Sequence, residues 1–117
     1  MESILKRLNE EEGVKGCLVV THDGIVVAGV LQSEVRKEVV GALSSFLIAA
    51  TDRCLKNGEL GSLGRMMMTA THGKVVILAL KGYYLVTLTD QFTDMEHILK
   101  VANEAAAQLL KVATIDA

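Results

Sequence analysis

Proline and tryptophan are absent from the 117 residues, and aromatic side chains make up only 3%. Single-strand nucleic-acid binders stack bases on such rings, and here almost none are available. No Lys/Arg-rich run occurs, and the net charge is −2. A nucleic-acid binder carries a basic stripe that displaces counterions from phosphates. Without one, no nucleic-acid partner is expected. Cysteine is scarce too: Cys17 and Cys54 each sit in an apolar segment, and neither belongs to a CxxC pair. They read as two reduced, buried thiols, which implies a reducing compartment. A secretory leader is not expected, because Met1-Glu2-Ser3-Ile4-Leu5-Lys6-Arg7 becomes charged at once. The longest uncharged helical run, Val39 to Thr51, falls short of the about 20 residues a membrane span requires. The chain is therefore expected to be cytoplasmic, without membrane insertion.

What is present is aliphatic. Half of the residues are hydrophobic, so the core must be built from Val, Leu, Ile, Ala and Met. A single domain over residues 1–117 is expected, and a chain of this size buries roughly two-thirds of its unfolded surface. It needs neither a disulfide nor a metal to fold. The pattern predicts a helix over Glu2–Glu12, with Met1, Ile4, Leu5 and Leu8 on one side and Gly13 as the stop. Strands follow over Val14–Thr21 and Ile25–Gly29, joined by His22-Asp23-Gly24 as a hairpin turn. A long helix covers Glu34–Lys56, with Ser33 as N-cap, Glu34 at its positive end and Asn57-Gly58 as its stop. Its main stripe is Val35, Val39, Leu43, Phe46, Leu47, Ala50 and Cys54. Val40, Ile48 and Leu55 form a second set. One sheet covers one stripe, so a helix this apolar needs a second apolar neighbour, such as another copy of itself.

Three more strands are predicted over Ser62–Thr71, Lys74–Leu80 and Tyr83–Thr89, with His72-Gly73 and Lys81-Gly82 as turns. The run Val75–Leu80 is apolar throughout, as in a central strand covered on both faces. The strand with Arg65 beside Met66-Met67-Met68 reads as an edge. A last helix over Asp94–Ala113 starts at a capping-box pattern, Thr93 followed by Glu96. Its stripe is Met95, Ile98, Leu99, Ala102, Ala106, Leu109 and Leu110. The order α-β-β-α-β-β-β-α with tight hairpins gives an α/β (α+β) fold with one five-stranded antiparallel sheet and flanking helices.

A search for chemistry finds little. His22 and His72 fall in turns and His97 in the first turn of the last helix. No HxH, HExxH or Cys/His spacing exists, so no metal is expected. Ser44-Ser45 read as small helix–helix contacts, not as a nucleophile. The stretch from Gly58 to Gly64 is glycine-rich, but it lacks the GK[ST] ending and leads into a strand. Asp52-Arg53 reads as a solvated helical pair. No catalytic residue and no cofactor are expected, and a binding role follows by elimination.

The element order, the lead-in Gly13-Val14-x-Gly16, the Asp23-Gly24 turn with Ile25-Val26-Val27-Ala28, and the small-residue helix Val39 to Ala50 together resemble the Roadblock / dynein light-chain family. The likeness spans nearly the whole chain and looks most like a prokaryotic stand-alone member. The resemblance implies a Roadblock/profilin-like fold and a homodimer in which the long helix and the third strand meet across the interface. It also implies work beside a Ras-like small GTPase, as a non-enzymatic activating or effector partner. On that basis Val40, Leu43, Ser44, Leu47, Leu63, Arg65 and Met67 are expected dimer contacts. Arg36, Lys37 and Arg53 are expected partner contacts, although the resemblance fixes no arginine finger. Two other functions compete: a structural subunit of the motor light-chain type, and a small-ligand sensor, which would need a concave pocket with convergent polar groups.

Overall fold

The computed structural model describes the backbone of residues 1–32 and 36–116, and side chains through residue 112. Eight elements follow the expected order: α1 (Glu2–Asn9), β1 (Val14–Val20), β2 (Val26–Leu31), α2 (Lys37–Asn57), β3 (Arg65–Ala70), β4 (Gly73–Ala79), β5 (Tyr84–Thr89) and α3 (Met95–Asp116). The five strands form one antiparallel sheet in the order β2-β1-β5-β4-β3. The middle place belongs to β5, not to the more continuously apolar β4, which lies one strand nearer the β3 edge.

Alternation along the strands divides the apolar residues between two layers. Cys17, Val19, Val76, Leu78 and Leu85 point to the face covered by α1 and α3, where they meet Leu5, Leu8, Ile98, Ala102 and Leu109. Leu18, Val20, Ile77, Tyr84 and Val86 point to the opposite face and meet Ile48 of α2. Cys17 is sealed in the first layer, where its Sγ donates to the Leu5 carbonyl at 3.2 Å. Burial pushes this thiol up to about 12.

Local chemistry sets the ends of the elements. The β1–β2 turn closes through Thr21 N–H to the Ile25 carbonyl at 3.0 Å and Gly24 N–H to the Thr21 carbonyl at 3.1 Å. Gly24 takes φ +85°, a conformation that side chains rarely adopt. The β3–β4 turn differs from expectation: Ala70 pairs with Gly73, so Thr71-His72 makes the loop and Gly73 begins β4. Helix α1 stops at Asn9, earlier than predicted, and 8–14 turn through Glu11 N–H to Leu8 and Val14 N–H to Glu11. The proposed cap at Ser33, with Glu34 and Val35, lies outside the described residues.

The C-terminus of α2 departs from the Asn57-Gly58 reading. Gly58 stays at φ −86°, and Glu59 takes the left-handed conformation at φ 61°. Leu60 N–H bonds to the Leu55 carbonyl at 2.8 Å and Glu59 N–H to the Lys56 carbonyl at 3.1 Å. This paired pattern is a Schellman motif with a non-glycine residue at its left-handed position. At α3, the Thr93 hydroxyl donates to Asp90 Oδ1 at 2.6 Å, and Asp94 supplies the first helical carbonyl to Ile98. The helix therefore caps at Asp94, one residue later than the capping-box reading.

Candidate binding face

Helix α2 carries apolar residues around most of its girth, and the structure decides which side meets the sheet. Gly41, Ser44 and Ile48 are buried, with Val40 and Leu55 packed beside them. Val39, Leu43 and Phe46 project outward, and Phe46 remains 68% exposed. At 100° per residue, Val39, Leu43, Phe46 and Ala50 fall within about 60° of one another, so they form one ridge. The bulkier stripe therefore points away from the sheet, and the set of Val40, Ile48 and Leu55 points in. Backbone proximity gives the reason. A Cβ on Gly41 would stand 2.9 Å from Val26 Cγ2, and one on Gly24 would stand 2.6 Å from Ser45 Cβ. The helix sits so low on β2 and its turn that only Gly and Ser fit beneath it. Ser44 and Ser45 thus serve helix–sheet and helix–turn contact within the chain. Cys54, expected to be buried, is exposed.

The expected dimer contacts divide into three groups. Leu43 lies on the outward ridge at 59% exposure, with Leu47 half-buried on its flank. Val40, Ser44 and Leu63 face inward, and Leu63 is additionally tied to α2 through its N–H to Asp52 Oδ1 at 2.9 Å. Arg65 and Met67 are exposed on β3, opposite Leu78 and Val76. Those partners belong to the α1/α3 layer, so Arg65 and Met67 share that face and not the α2 side. Met66 and Met68, opposite Ile77 and Val75, are the β3 residues on the α2 side. There Thr51 Oγ1 reaches Met66 Sδ at 3.7 Å. Val39, Phe46, Met66 and Met68 are not among the expected dimer contacts. The small set Gly41-Ser44-Ser45 was the available signal, since a stripe of small residues marks the side of closest approach.

The expected partner contacts do not form one patch. Arg36 and Lys37 stand at the start of α2, and Arg53 lies roughly 24 Å further along at 1.5 Å per residue. All three are exposed. Arg53 opens on a shallow hollow of His22, Ala49, Asp52, Lys56 and Asn57. Within it Lys56 Nζ is 2.8 Å from Asp52 Oδ2. That bond, with the Leu63 N–H, holds the Asp52 carboxyl below its ordinary range. The Tyr84 hydroxyl lies 3.3 Å from the His22 ring, which stands edge-on at 4.9 Å between centroids. Burial raises the Tyr84 phenol, and the Asp52 carboxylate adds to the shift. The Leu63 bond ties the β3 approach to α2, and the Tyr84–His22 contact ties the β1–β2 turn to β5. Among the described residues, no group of three His, Cys, Asp or Glu is placed to hold a metal ion. No helix among them is long and apolar enough to cross a membrane.

Comparison with known proteins bears on this arrangement. The family model of the Roadblock/LC7 domain matches residues 1–89. The Methanocaldococcus jannaschii protein MJ1340, itself uncharacterised, is 32% identical over 111 residues, 95% of this chain and 96% of its own. Among solved structures, Myxococcus xanthus MglB superposes with a TM-score of 0.89 at 15% identity, covering 97% of this chain and 94% of that one. A structure described as MglB with tetrameric arrangement gives 0.83 at 16% identity, over 96% and 86%. Acanthamoeba castellanii profilin II follows at 0.62 and 15%, over 96% and 98%. The architecture is thus the one that the MglB structures hold, and profilin approaches it.

Proposed function

The chain belongs to the Roadblock/LC7 family, and on that premise we propose that it is a homodimeric, non-enzymatic regulator or scaffold for a Ras-like small GTPase. Roadblock/LC7 domains form a regulatory and adaptor family. The observation that carries the reading is the outward ridge of α2. Val39, Leu43, Phe46 and Ala50 leave a continuous apolar strip in water. Such a strip marks an interaction surface. A second α2 laid against it would bury both strips at once and complete the helix's second apolar contact. The β3 edge stands beside it, with Met66 and Met68 on the same side of the sheet. Self-association also accords with the tetrameric arrangement of one similar structure. The GTPase assignment rests on the family resemblance, and Arg36, Lys37 and Arg53 are the contacts we assign to that partner. On this reading residues 1–117 act as one domain in the cytoplasm.

Sedimentation at tens of micromolar tests the first half. We expect a dimer, and Leu43→Glu should reduce it to a monomer by placing a charge in the buried strip. A wild-type monomer would remove the dimer from the reading. For the second half, the immobilised protein is exposed to native lysate with GDP or a non-hydrolysable GTP analogue. A small GTPase retained only with the analogue supports the regulator. Retention that ignores the nucleotide favours a structural subunit of the light-chain type.

A further inference from the structure

The two edge strands of the sheet are guarded unequally. Edge β3 carries Arg65 among its exposed residues. The segment Ile25 to Leu31, which includes all of β2, has no charge and no proline. Native edge strands ordinarily carry such a guard against pairing with another chain. Here Ile25 is 62% exposed and Val27 45%. A register irregularity marks the start of β2, but Ala28, Gly29, Val30 and Leu31 run in regular register against β1. Gln32 N–H donates to the Lys15 carbonyl at 3.1 Å, toward β1. By antiparallel alternation, the main-chain groups of Gly29 and Leu31 then point away from β1, along the open edge.

A cation overhangs this edge. On the α2 side, a Cβ added to Gly29 would meet Lys37 Cε at 3.3 Å, so the Lys37 stem lies directly over the strand. Lys37 is exposed and makes no ion pair with a described residue.

We propose that the β2 edge accepts an extended segment of a partner protein by strand addition, and that this segment places an Asp or Glu against Lys37. These main-chain groups, without a partner among the described residues, select an extended strand, since that conformation satisfies them in a ladder. The uncharged strip Ile25 to Leu31 selects apolar neighbours on that strand. Lys37 selects the carboxylate, and it also argues against a second copy. A two-fold axis through Gly29 would bring two Lys37 ammoniums together, a like-charge contact. The outward ridge of α2 and the β3 edge take no part in this contact. It shares with the proposed function only the assignment of Lys37 to a partner, and its test uses no GTPase.

The probe is a capped octapeptide of sequence TVEVTVES, compared with TVKVTVKS, added to the full isotope-labelled chain. Amide hydrogen exchange is read residue by residue. At ~1 mM, the acidic peptide should slow exchange at Gly29 and Leu31 by about tenfold or more, and the basic peptide should not. Lys37→Glu should reverse the preference. Unchanged exchange at Gly29 and Leu31 with both peptides would overturn the proposal. Equal protection by both would overturn its charge selection. Protection already present in the free chain and rising with protein concentration would assign the edge to a second copy instead.

Discussion

Ile48 and Phe46 are two residues apart on α2, and replacing each should have opposite consequences. Ile48 is fully buried between α2 and the sheet. Ile48→Ala removes three heavy atoms from a site that cannot collapse, at a cost of about 3 kcal/mol. At about 2.1 cal/mol/K of unfolding entropy per residue, a chain of this length would lose roughly 12 °C in Tm. That loss should not depend on protein concentration. Phe46 is 68% exposed, so Phe46→Ser leaves the protomer core intact. Its cost falls on association: roughly 140 Å² of ring left in water in place of an interface corresponds to at most ~3.5 kcal/mol per copy. Urea melts at several protein concentrations, paired with sedimentation, separate the two effects. The Phe46→Ser protein should melt like a dissociated wild type and sediment lighter. If Phe46→Ser instead lowers stability as much as Ile48→Ala at every concentration, the helix faces the other way and the ridge is core.

Three further outcomes follow from the local chemistry. Glu59→Gly should stabilise the chain by up to about 1 kcal/mol, measured by urea unfolding, because a left-handed residue gains a permissive backbone, less the entropy glycine adds to the unfolded chain. Asp52 and Asp90 are both held below the ordinary carboxylate range, Asp52 first by the Lys56 bond and Asp90 first by the Thr93 hydroxyl. A depressed folded value means that their contribution is present above the unfolded carboxylate range and is lost as pH falls through the folded values. Acid should therefore destabilise the protein, and Asp52→Asn should flatten that limb in melts followed from neutral to acid pH. At pH 8, an aromatic disulfide reagent should titrate one thiol per folded chain. Cys54 is exposed and reacts, whereas Cys17 is buried, with its pKa pushed up to about 12. Two equally fast thiols would contradict the sealing of Cys17.

The hairpins could be read from sequence because a tight turn depends on two or three adjacent residues. Gly24 and Gly82 both take positive φ where a turn requires it. The element order and the β3 edge followed from the same local patterns. The facing of α2 could not be read that way. Its outward residues, Val39, Leu43 and Phe46, are more apolar than the inward Gly41 and Ser44, so hydrophobicity alone selects the wrong side. The deciding quantity is the distance between helix and sheet, which depends on Val26 and the Gly24 turn far along the chain. Which β3 side chains share the α2 side was hidden for a related reason. Met66, Met67 and Met68 are chemically identical, and only the pairing of β3 with β4 assigns each to a face.

The position of β5 has a consequence for synthesis. Strand β1 has β2 on one side and β5 on the other, with Val20 opposite Tyr84 and Leu18 opposite Val86. The ribosome finishes β1 and its hairpin long before β5 exists. During that interval one side of β1, with Leu18 and Val20, has no neighbouring strand in the nascent chain. The sheet can close only when β5 has emerged and inserted between β1 and β4, a long-range event that sets a slow, late step. The nascent chain is therefore most open to chaperones, or to mispairing with a neighbouring copy, while its middle third is being made.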